Sequence, residues 1–123
     1  MRTDLEYGST WTLVFLFAFW EHSEVRVISR KALTKFAAKH RDAKEPLDNW
    51  YRRTRRANWQ NLAEVREDYP QADLVGTCVV FNLAGNKYRL ISRIFFRSKR
   101  VYIRFVMTHK EYDKGEWEND RSS

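Results

Sequence analysis

"KYRLISRIFFRSKRVYIRFVM", residues 87–107, determines the fold class of this chain, because two runs of alternating residues flank a short polar turn. Alternation with a period of two is the pattern of a strand with one buried face. The apolar positions on that face are Tyr88, Leu90 and Ile94 in the first run and Val101, Ile103, Phe105 and Met107 in the second. We therefore expect two adjacent antiparallel strands whose apolar faces contribute to one core.

The residues before this stretch predict further strands of the same sheet. In DLVGTCVVFNL, residues 73–83, the apolar pattern is broken at Gly76, which predicts one or two strands. The following AGN, residues 84–86, predicts a hairpin turn, since glycine and asparagine tolerate positive φ. Together these segments predict an antiparallel meander of three or four strands.

A short strand and three helices are predicted to precede the meander. VRVIS, residues 25–29, has strand character, and Ser29 can cap a helix over residues 30–40. Pro46 suits the first turn of a second helix. Asn58 can start a third short helix that Pro70 ends. The apolar stripe of the second helix consists of Leu47, Trp50, Tyr51 and Thr54. The order predicts an α+β fold, with the N-terminal strand and helices packed on one face of a small, mainly antiparallel sheet.

Charge divides the 123 residues into two unequal parts. Residues 1–24 carry one basic and four acidic side chains, whereas residues 25–123 carry 22 basic and 12 acidic ones, a net charge of +10. A domain this basic favours a polyanionic partner, above all nucleic acid. We expect residues 25–123 to form one domain and residues 1–24 to be an N-terminal extension of uncertain status.

The extension contains an uninterrupted apolar run of ten residues, Trp11 to Trp20. A membrane span needs about 18 or more, so we expect no membrane anchor. The run can be an appendage outside the core, a buried strand or helix, or a weak membrane contact. A further hypothesis is that natural translation starts at Val25.

Several classes of site have no support in the sequence. The single cysteine, Cys78, excludes an internal disulfide and fits a reducing cytosol. His22, His40 and His109 lack metal-ligand spacing. No glycine-rich phosphate loop and no paired carboxylates for a two-metal nuclease are present. We therefore expect neither a metal nor a cofactor.

Cations alternate with the apolar residues of the two long strands. Lys87, Arg89, Arg93 and Arg104 are expected on the exposed face, with Tyr102 beside them as a stacking surface. Such a face suits single-stranded RNA, and like charges on neighbouring strands favour an anionic partner. The alternative is a solvated outer face. A second set of cations, expected on the outer side of the second helix, offers further phosphate contacts or simply a solvated helix face: Arg52, Arg53, Arg55 and Arg56.

THKEYDKG, residues 108–115, follows the second long strand directly. Thr108 and Glu111 fit a capping box, so a short helical turn should begin there and bring His109, Tyr112 and Asp113 together. A histidine suits proton transfer at neutral pH. With a base, an acid and nearby cations, RNA can be cleaved through its own 2′-hydroxyl to a 2′,3′-cyclic phosphate without a metal. The alternatives are a structural turn in a non-catalytic RNA- or ribosome-binding module controlled by a partner protein and, last, a protein-interaction adaptor.

Four segments of the chain resemble the HigB-type toxins of bacterial toxin–antitoxin pairs. They are VRVISRKALTKFAAKH (25–40), NWQNLAEVREDYPQADLV (58–75), VVFNLAGNKYRLISRIFF (79–96) and VYIRFVMTHKEYDKGEW (101–117). The resemblance implies a RelE-like fold and cytoplasmic, ribosome-dependent mRNA cleavage. It also implies a helix-turn-helix antitoxin of the HigA type, through which alone operator DNA would be bound.

The same resemblance implies roles for individual residues. Arg89 and Arg104 look like phosphate-contacting stabilisers of the transition state, and His109, Tyr112 and Asp113 look like the catalytic end of the last strand. We expect Lys87, Arg93 and Lys110 to bind RNA. Relatives usually have two glycines where this chain has Ala84 and Gly85. The turn is therefore expected to avoid positive φ at Ala84 or to change its type.

Overall fold

The computed structural model describes residues 24–119. Their first half contains one strand and three helices, joined by a 3-10 turn (Arg41–Ala43) between the first two helices. These elements are β1 (Arg26–Ile28), α1 (Arg30–Lys39), α2 (Lys44–Arg56) and α3 (Leu62–Asp68). The predicted strand and all three predicted helices are thus confirmed.

The second half contains four strands and a short C-terminal helix, followed by a 3-10 turn (Glu116–Asn119). The elements are β2 (Asp73–Val75), β3 (Cys78–Leu83), β4 (Tyr88–Phe95), β5 (Arg100–Thr108) and α4 (His109–Lys114). They form one sheet in the order β1-β5-β4-β3-β2. Only β1 pairs in parallel, with β5, whereas the other pairs are antiparallel. The predicted α+β, RelE-like class is confirmed.

The start of α3 differs from the prediction. Its N-cap is Asn61, whose side chain accepts a hydrogen bond from the Glu64 amide at 3.0 Å, and not Asn58. Both asparagines are good caps. Asn61 is used because its side chain reaches the amide of the third helical residue, while Asn58 lies in the connection before the helix.

The main core lies between the helices and one face of the sheet. The buried side chains Leu47 and Trp50 of α2 and Val65 of α3 meet Phe81 and Leu90 of the sheet. Trp50 and Phe81 pack edge to face with their ring centres 5.5 Å apart. Burial of these large apolar side chains, each worth roughly 1.5–3 kcal/mol, fixes the helices on this face.

The alternation predicted for β5 is wrong after Ile103. The register of β4 and β5 shifts between Ile91 and Ser92, which pair with Phe105 and Ile103, so Arg104 is the extra residue of a β-bulge. A bulge adds one residue to one strand and reverses the faces beyond it. Phe105 therefore turns away from the main core, as does Met107.

A second, smaller core covers the outer face of the sheet. Val80 and Ile91 are buried there beneath Trp117, and the partly buried Phe105 and Tyr112 pack against them. The C-terminal segment that follows β5 thus closes part of the face that the sequence predicted to be exposed.

The β3–β4 turn uses three consecutive residues with positive φ. Ala84 has φ of 56°, Gly85 59° and Asn86 80°. We expected either that Ala84 avoids positive φ or that the turn changes its type. The first of these expectations is wrong. Alanine ordinarily prefers negative φ, but here it takes the backbone conformation that the hairpin requires. In this hairpin the Lys87 amide donates to the Ala84 carbonyl at 3.2 Å.

The predictions for residues 1–24 lie almost wholly outside the described part of the chain. The exception is Glu24, whose carboxylate pairs with the Arg55 guanidinium. Among residues 24–119, no helix combines the length and the apolar character that crossing a bilayer requires.

Candidate active site

The capping box predicted at the end of β5 is present. The Thr108 hydroxyl accepts a hydrogen bond from the Glu111 amide at 3.1 Å, and the Glu111 carboxylate accepts one from the Thr108 amide at 3.0 Å. The His109 amide donates to the Lys87 carbonyl at 2.8 Å, which ties the helix to the start of β4. Helix α4 therefore begins at a fixed position relative to the sheet.

Tyr112 of α4 lies between two partners of different character. Its ring stacks on Trp117 with a centre-to-centre distance of 5.2 Å and an interplanar angle of 19°. The Arg89 guanidinium carbon lies 5.4 Å from the ring centre. Burial raises the pKa of the Tyr112 phenol, the charge of Asp73 adds to this, and Arg89 opposes it. At neutral pH the hydroxyl therefore keeps its proton and is a hydrogen-bond donor.

Arg89 is buried, with 7% of its surface exposed. The expectation that it lies on an exposed face is wrong, because the second core and Tyr112 cover this part of the sheet. Its Nη1 donates to the carbonyls of Asn86, at 3.0 Å, and Tyr88, at 3.3 Å. The guanidinium is thus held in one orientation and is poorly hydrated, which strengthens its attraction for an anion.

Arg89 and Tyr112 line a groove of about 400 Å³. Its other polar side chains come from α3, from the loop after it, and from β2 and β3. The lining residues are Arg66, Pro70, Gln71, Ala72, Asp73, Val80, Asn82, Arg89 and Tyr112. The groove combines two guanidinium groups, a phenol that stays protonated, two amides and one carboxylate, that of Asp73. Its guanidinium groups can bind a phosphate, and its phenol can donate a proton beside it.

Sequence reasoning missed Arg66, Gln71 and Asn82. Asn82 pairs with Arg89 across the β3–β4 ladder, and its amide donates to the Gln71 side chain at 3.3 Å. Counting outward from the hairpin turn could have placed it beside Arg89. Arg66 reaches the groove because its Nε donates to the Ala72 carbonyl at 2.9 Å, a contact that no local pattern announces.

His109, the first residue of α4, lies one turn before Tyr112. Its Nδ1 is 3.1 Å from an Asp113 carboxylate oxygen. The angle does not satisfy a hydrogen bond, and this nitrogen is shielded from solvent, whereas 43% of the side chain is exposed. The nitrogen that a ligand can reach is therefore Nε2. The predicted proximity of His109 and Asp113 is present.

Comparison with known proteins shows which family this chain resembles. Residues 43–115 match the family described as "HigB_toxin, RelE-like toxic component of a toxin-antitoxin system". The chain is 33% identical over 92 residues to the "mRNA interferase toxin HigB" of Escherichia coli K12, covering 72% of this chain and 88% of the relative. This chain belongs to the HigB toxin family.

Two further relatives carry the name "mRNA interferase HigB". The protein of Escherichia coli O157:H7 is also 33% identical over 92 residues, with coverage of 72% and 88%. That of Escherichia coli O6:H1 is 27% identical over 93 residues, with coverage of 73% and 90%. The range that matches the HigB family includes Arg89, His109 and Tyr112 but ends before Trp117.

The structure divides the predicted basic face of this HigB family member. Lys87 lies on the helix side, where its Nζ is 2.9 Å from an oxygen of Asp42. Arg93, Tyr102 and Arg104 instead line a cleft near the β4–β5 turn. Of the predicted cations on these strands, only Arg89 lines the groove of Tyr112.

The four arginines of α2 lie on its outer side, as predicted, but three of them have partners on the protein itself. Arg53 is 3.9 Å from Asp68, Arg55 pairs with Glu24, and Arg52 donates to Asn49. Arg56 is exposed, as is Lys110 on α4. Their role as RNA contacts remains a prediction.

Proposed function

We propose that this chain is the toxin of a toxin–antitoxin pair and that it cleaves mRNA by metal-free attack of the 2′-hydroxyl on the adjacent phosphate. Membership of the HigB family and the relatives' name, mRNA interferase, support the substrate. The observation that carries the chemistry is the pairing of Arg89 with Tyr112, a buried cation beside a protonated phenol in one groove.

Arg89 is assigned to the scissile phosphate. The transition state of this reaction carries extra negative charge on the phosphorane oxygens, and a fixed cation in a poorly hydrated site stabilises that charge. The two carbonyl contacts of its Nη1 leave the other guanidinium nitrogens for the substrate. Arg66, which also lines the groove, is assigned to the same phosphate or its neighbour.

Tyr112 is assigned as the donor to the departing 5′-oxygen. Its raised pKa keeps the proton on the phenol at neutral pH, so it can donate that proton as the P–O bond breaks. The proton from Tyr112 neutralises the leaving alkoxide. The stacked Trp117 keeps the Tyr112 ring in place.

His109 is assigned as the base. Its Nε2 would remove the proton of the 2′-hydroxyl, and the charge of the Asp113 carboxylate beside Nδ1 would stabilise the imidazolium that forms. His109 and Tyr112 are three residues apart on α4 and hence neighbours on its surface. Arg104, predicted from the sequence to stabilise the transition state, is assigned to RNA binding instead, since it lines the other cleft.

The finer partners follow from the same proposal. An antitoxin with a helix-turn-helix fold, of the HigA type, would hold the toxin inactive and alone contact operator DNA. The ribosome in the cytoplasm would present the mRNA, with the basic surface contacting ribosomal RNA. Positioning by the ribosome would supply much of the rate enhancement.

The test is expression of the whole chain in cells that lack the antitoxin, with new 5′ ends on a translated message mapped by primer extension. The wild type should produce cuts at in-frame codon positions, while Tyr112→Phe and His109→Gln should not. Tyr51→Phe, which alters a phenol on α2, is the control and should cut normally. Growth arrest without cuts would instead support a non-catalytic RNA- or ribosome-binding module.

A further inference from the structure

A cleft of about 390 Å³ lies on the outer face of the sheet, near the β4–β5 turn. Its lining residues are Arg93, Phe95, Ser98, Arg100, Tyr102 and Arg104. The mechanism proposed above uses none of them for chemistry. The volume lies within the roughly 300–1,000 Å³ of small-molecule pockets, so it admits one nucleotide.

Phe95 is the unusual residue of this cleft. It is 40% exposed, and within residues 24–119 it shares the class of exposed large apolar side chains only with Leu74. Its ring packs edge to face with Tyr102, centre to centre 5.6 Å. The Arg93 guanidinium carbon is 5.2 Å from the Phe95 ring centre. Phe95 is thus an exposed aromatic ring with a second ring packed perpendicular to it and a cation close by.

The charge of the cleft indicates the chemistry of its ligand. Three of its six lining residues are arginines, and none of the six is acidic. Arg100 of β5 pairs directly with Phe95 of β4, and Arg93 of β4 pairs with Tyr102 of β5. Each aromatic ring therefore has an arginine opposite it on the neighbouring strand. Guanidinium groups stack on bases and bind phosphates with two donors, whereas aromatic rings take up unstacked bases.

The cleft and the groove lie on the same strand and the same face. Arg89 and Arg93 are four residues apart on β4, which corresponds to about 13 Å along the strand. Stacked nucleotides rise about 3.4 Å each. Roughly four nucleotides therefore span the distance between the two sites, with the second core of Ile91 and Phe105 between them.

We propose that this cleft binds an unpaired base of the same RNA strand that enters the Arg89–Tyr112 groove, a few nucleotides from the cleaved bond. The base stacks on the Phe95 ring, with Tyr102 beside it, and the flanking phosphates contact Arg100 and Arg104. The inference rests on the proposed action on RNA, but not on any catalytic role. Single-stranded substrate is required, because a base within a duplex is already stacked.

The test measures binding of fluorescein-labelled oligodeoxyadenylates of three and eight nucleotides to the whole chain by anisotropy. These probes lack the 2′-hydroxyl and cannot be cut by the proposed chemistry. The wild type should bind the octamer more tightly than the trimer. Phe95→Leu, which keeps apolar volume but removes the ring, should weaken octamer binding about tenfold and leave the trimer unchanged. Leu74→Ala, which alters the other exposed apolar side chain, is the matched control.

A second variant separates stacking from charge. Arg100→Gln should reduce the slope of log affinity against log salt by about 0.7, the value for one phosphate contact on a single strand. Melting temperatures of both variants should match the wild type, since both side chains are exposed.

Three outcomes would overturn the inference. Unchanged octamer binding by Phe95→Leu would leave the cleft to a protein partner or to solvent. Equal weakening of trimer and octamer would show a cleft that binds a separate strand, such as ribosomal RNA. Absence of octamer binding by the wild type would remove the site altogether. Each of these binding outcomes is independent of the cleavage assay. In that assay, the absence of in-frame cuts with the wild type would contradict the proposed function.

Discussion

The guanidinium carbon of Arg89 lies 5.4 Å from the centre of the Tyr112 ring, and so joins the sheet to the helix that follows its last strand. The two residues come from β4 and α4 and meet at one wall of the groove. Neither is free to move, since backbone carbonyls hold the arginine and Trp117 holds the tyrosine.

Replacement of Arg89 should show whether mRNA cleavage depends on the planar shape of the guanidinium or only on its positive charge. Arg89→Lys keeps the charge but loses the planar set of donors, so mRNA cleavage should fall about 100-fold, as for loss of a donor to a developing oxyanion. Lys35→Gln, which removes an exposed cation of α1, should cleave normally. Primer extension at matched expression measures both, and normal cleavage by Arg89→Lys would contradict the role assigned to the guanidinium.

Removal of the Tyr112 hydroxyl should affect alkaline titration as well as cleavage. The fold raises the pKa of the Tyr112 phenol. The protonated phenol therefore contributes fully to stability below the ordinary pKa of about 10, and this contribution is lost as pH rises through the pKa of the folded protein. Absorbance at 295 nm should therefore show one tyrosine fewer among the late-titrating groups in Tyr112→Phe. Loss of an early-titrating group instead would contradict the buried environment of Tyr112.

Trp117 should act through Tyr112. Trp117→Phe retains a stacking ring and should keep most activity, because the indole nitrogen is buried and finds no acceptor within residues 24–119. Trp117→Ala should lower the free energy of unfolding by about 3 kcal/mol and abolish cleavage even where the protein remains folded. Urea unfolding and message cleavage test this pair, and equal activity of the two variants would exclude a positioning role.

Ala84→Gly should stabilise the protein. Alanine at φ of 56° is in the left-handed region, where a residue with a Cβ costs about 1 kcal/mol relative to glycine. The variant should show a higher urea midpoint with an unchanged slope. Asn86→Gly is the control and should gain less, since asparagine tolerates this region.

The contacts of Asp42 should make stability depend on pH at both extremes. The hydrogen bond from the Tyr88 hydroxyl and the neighbouring Lys87 lower the Asp42 pKa below 3.8, so this stabilisation is present above that value and lost as pH falls through the folded value. The same hydrogen bond raises the Tyr88 pKa above 10. The stabilisation from this hydrogen bond is therefore present below pH 10 and is lost as pH rises through the pKa of Tyr88 in the folded protein. The stability difference between wild type and Asp42→Asn should therefore narrow at both ends. A difference independent of pH would contradict this coupling.

Much of the fold could be predicted because it depends on local patterns. The alternation of β4 side chains between two faces, the glycine break at Gly76 and the T-x-x-E box at Thr108 are each read from a few neighbouring residues, and all three are present. The bulge at Arg104 could not be predicted in this way. It changes which face a residue occupies without changing composition, and it is fixed only by pairing with β4.

The candidate site was predictable in part for the same reason. His109 and Asp113 meet through helical spacing alone. The burial of Arg89 required Tyr112 and the second core to cover the outer face, and Arg66 required the loop after α3 to return to the sheet. Both depend on contacts between segments that are distant in sequence.

The parallel pairing of Val27 with Val101 has a consequence for the order of assembly during translation. Within residues 24–119, β1 pairs with no strand other than β5, which is synthesised last, and closing so large a loop is slow. That last strand leads directly into the helix that carries His109 and Tyr112. The sheet and the candidate site are therefore completed together at the end of synthesis, and a nascent chain that still lacks β5 has not yet assembled either.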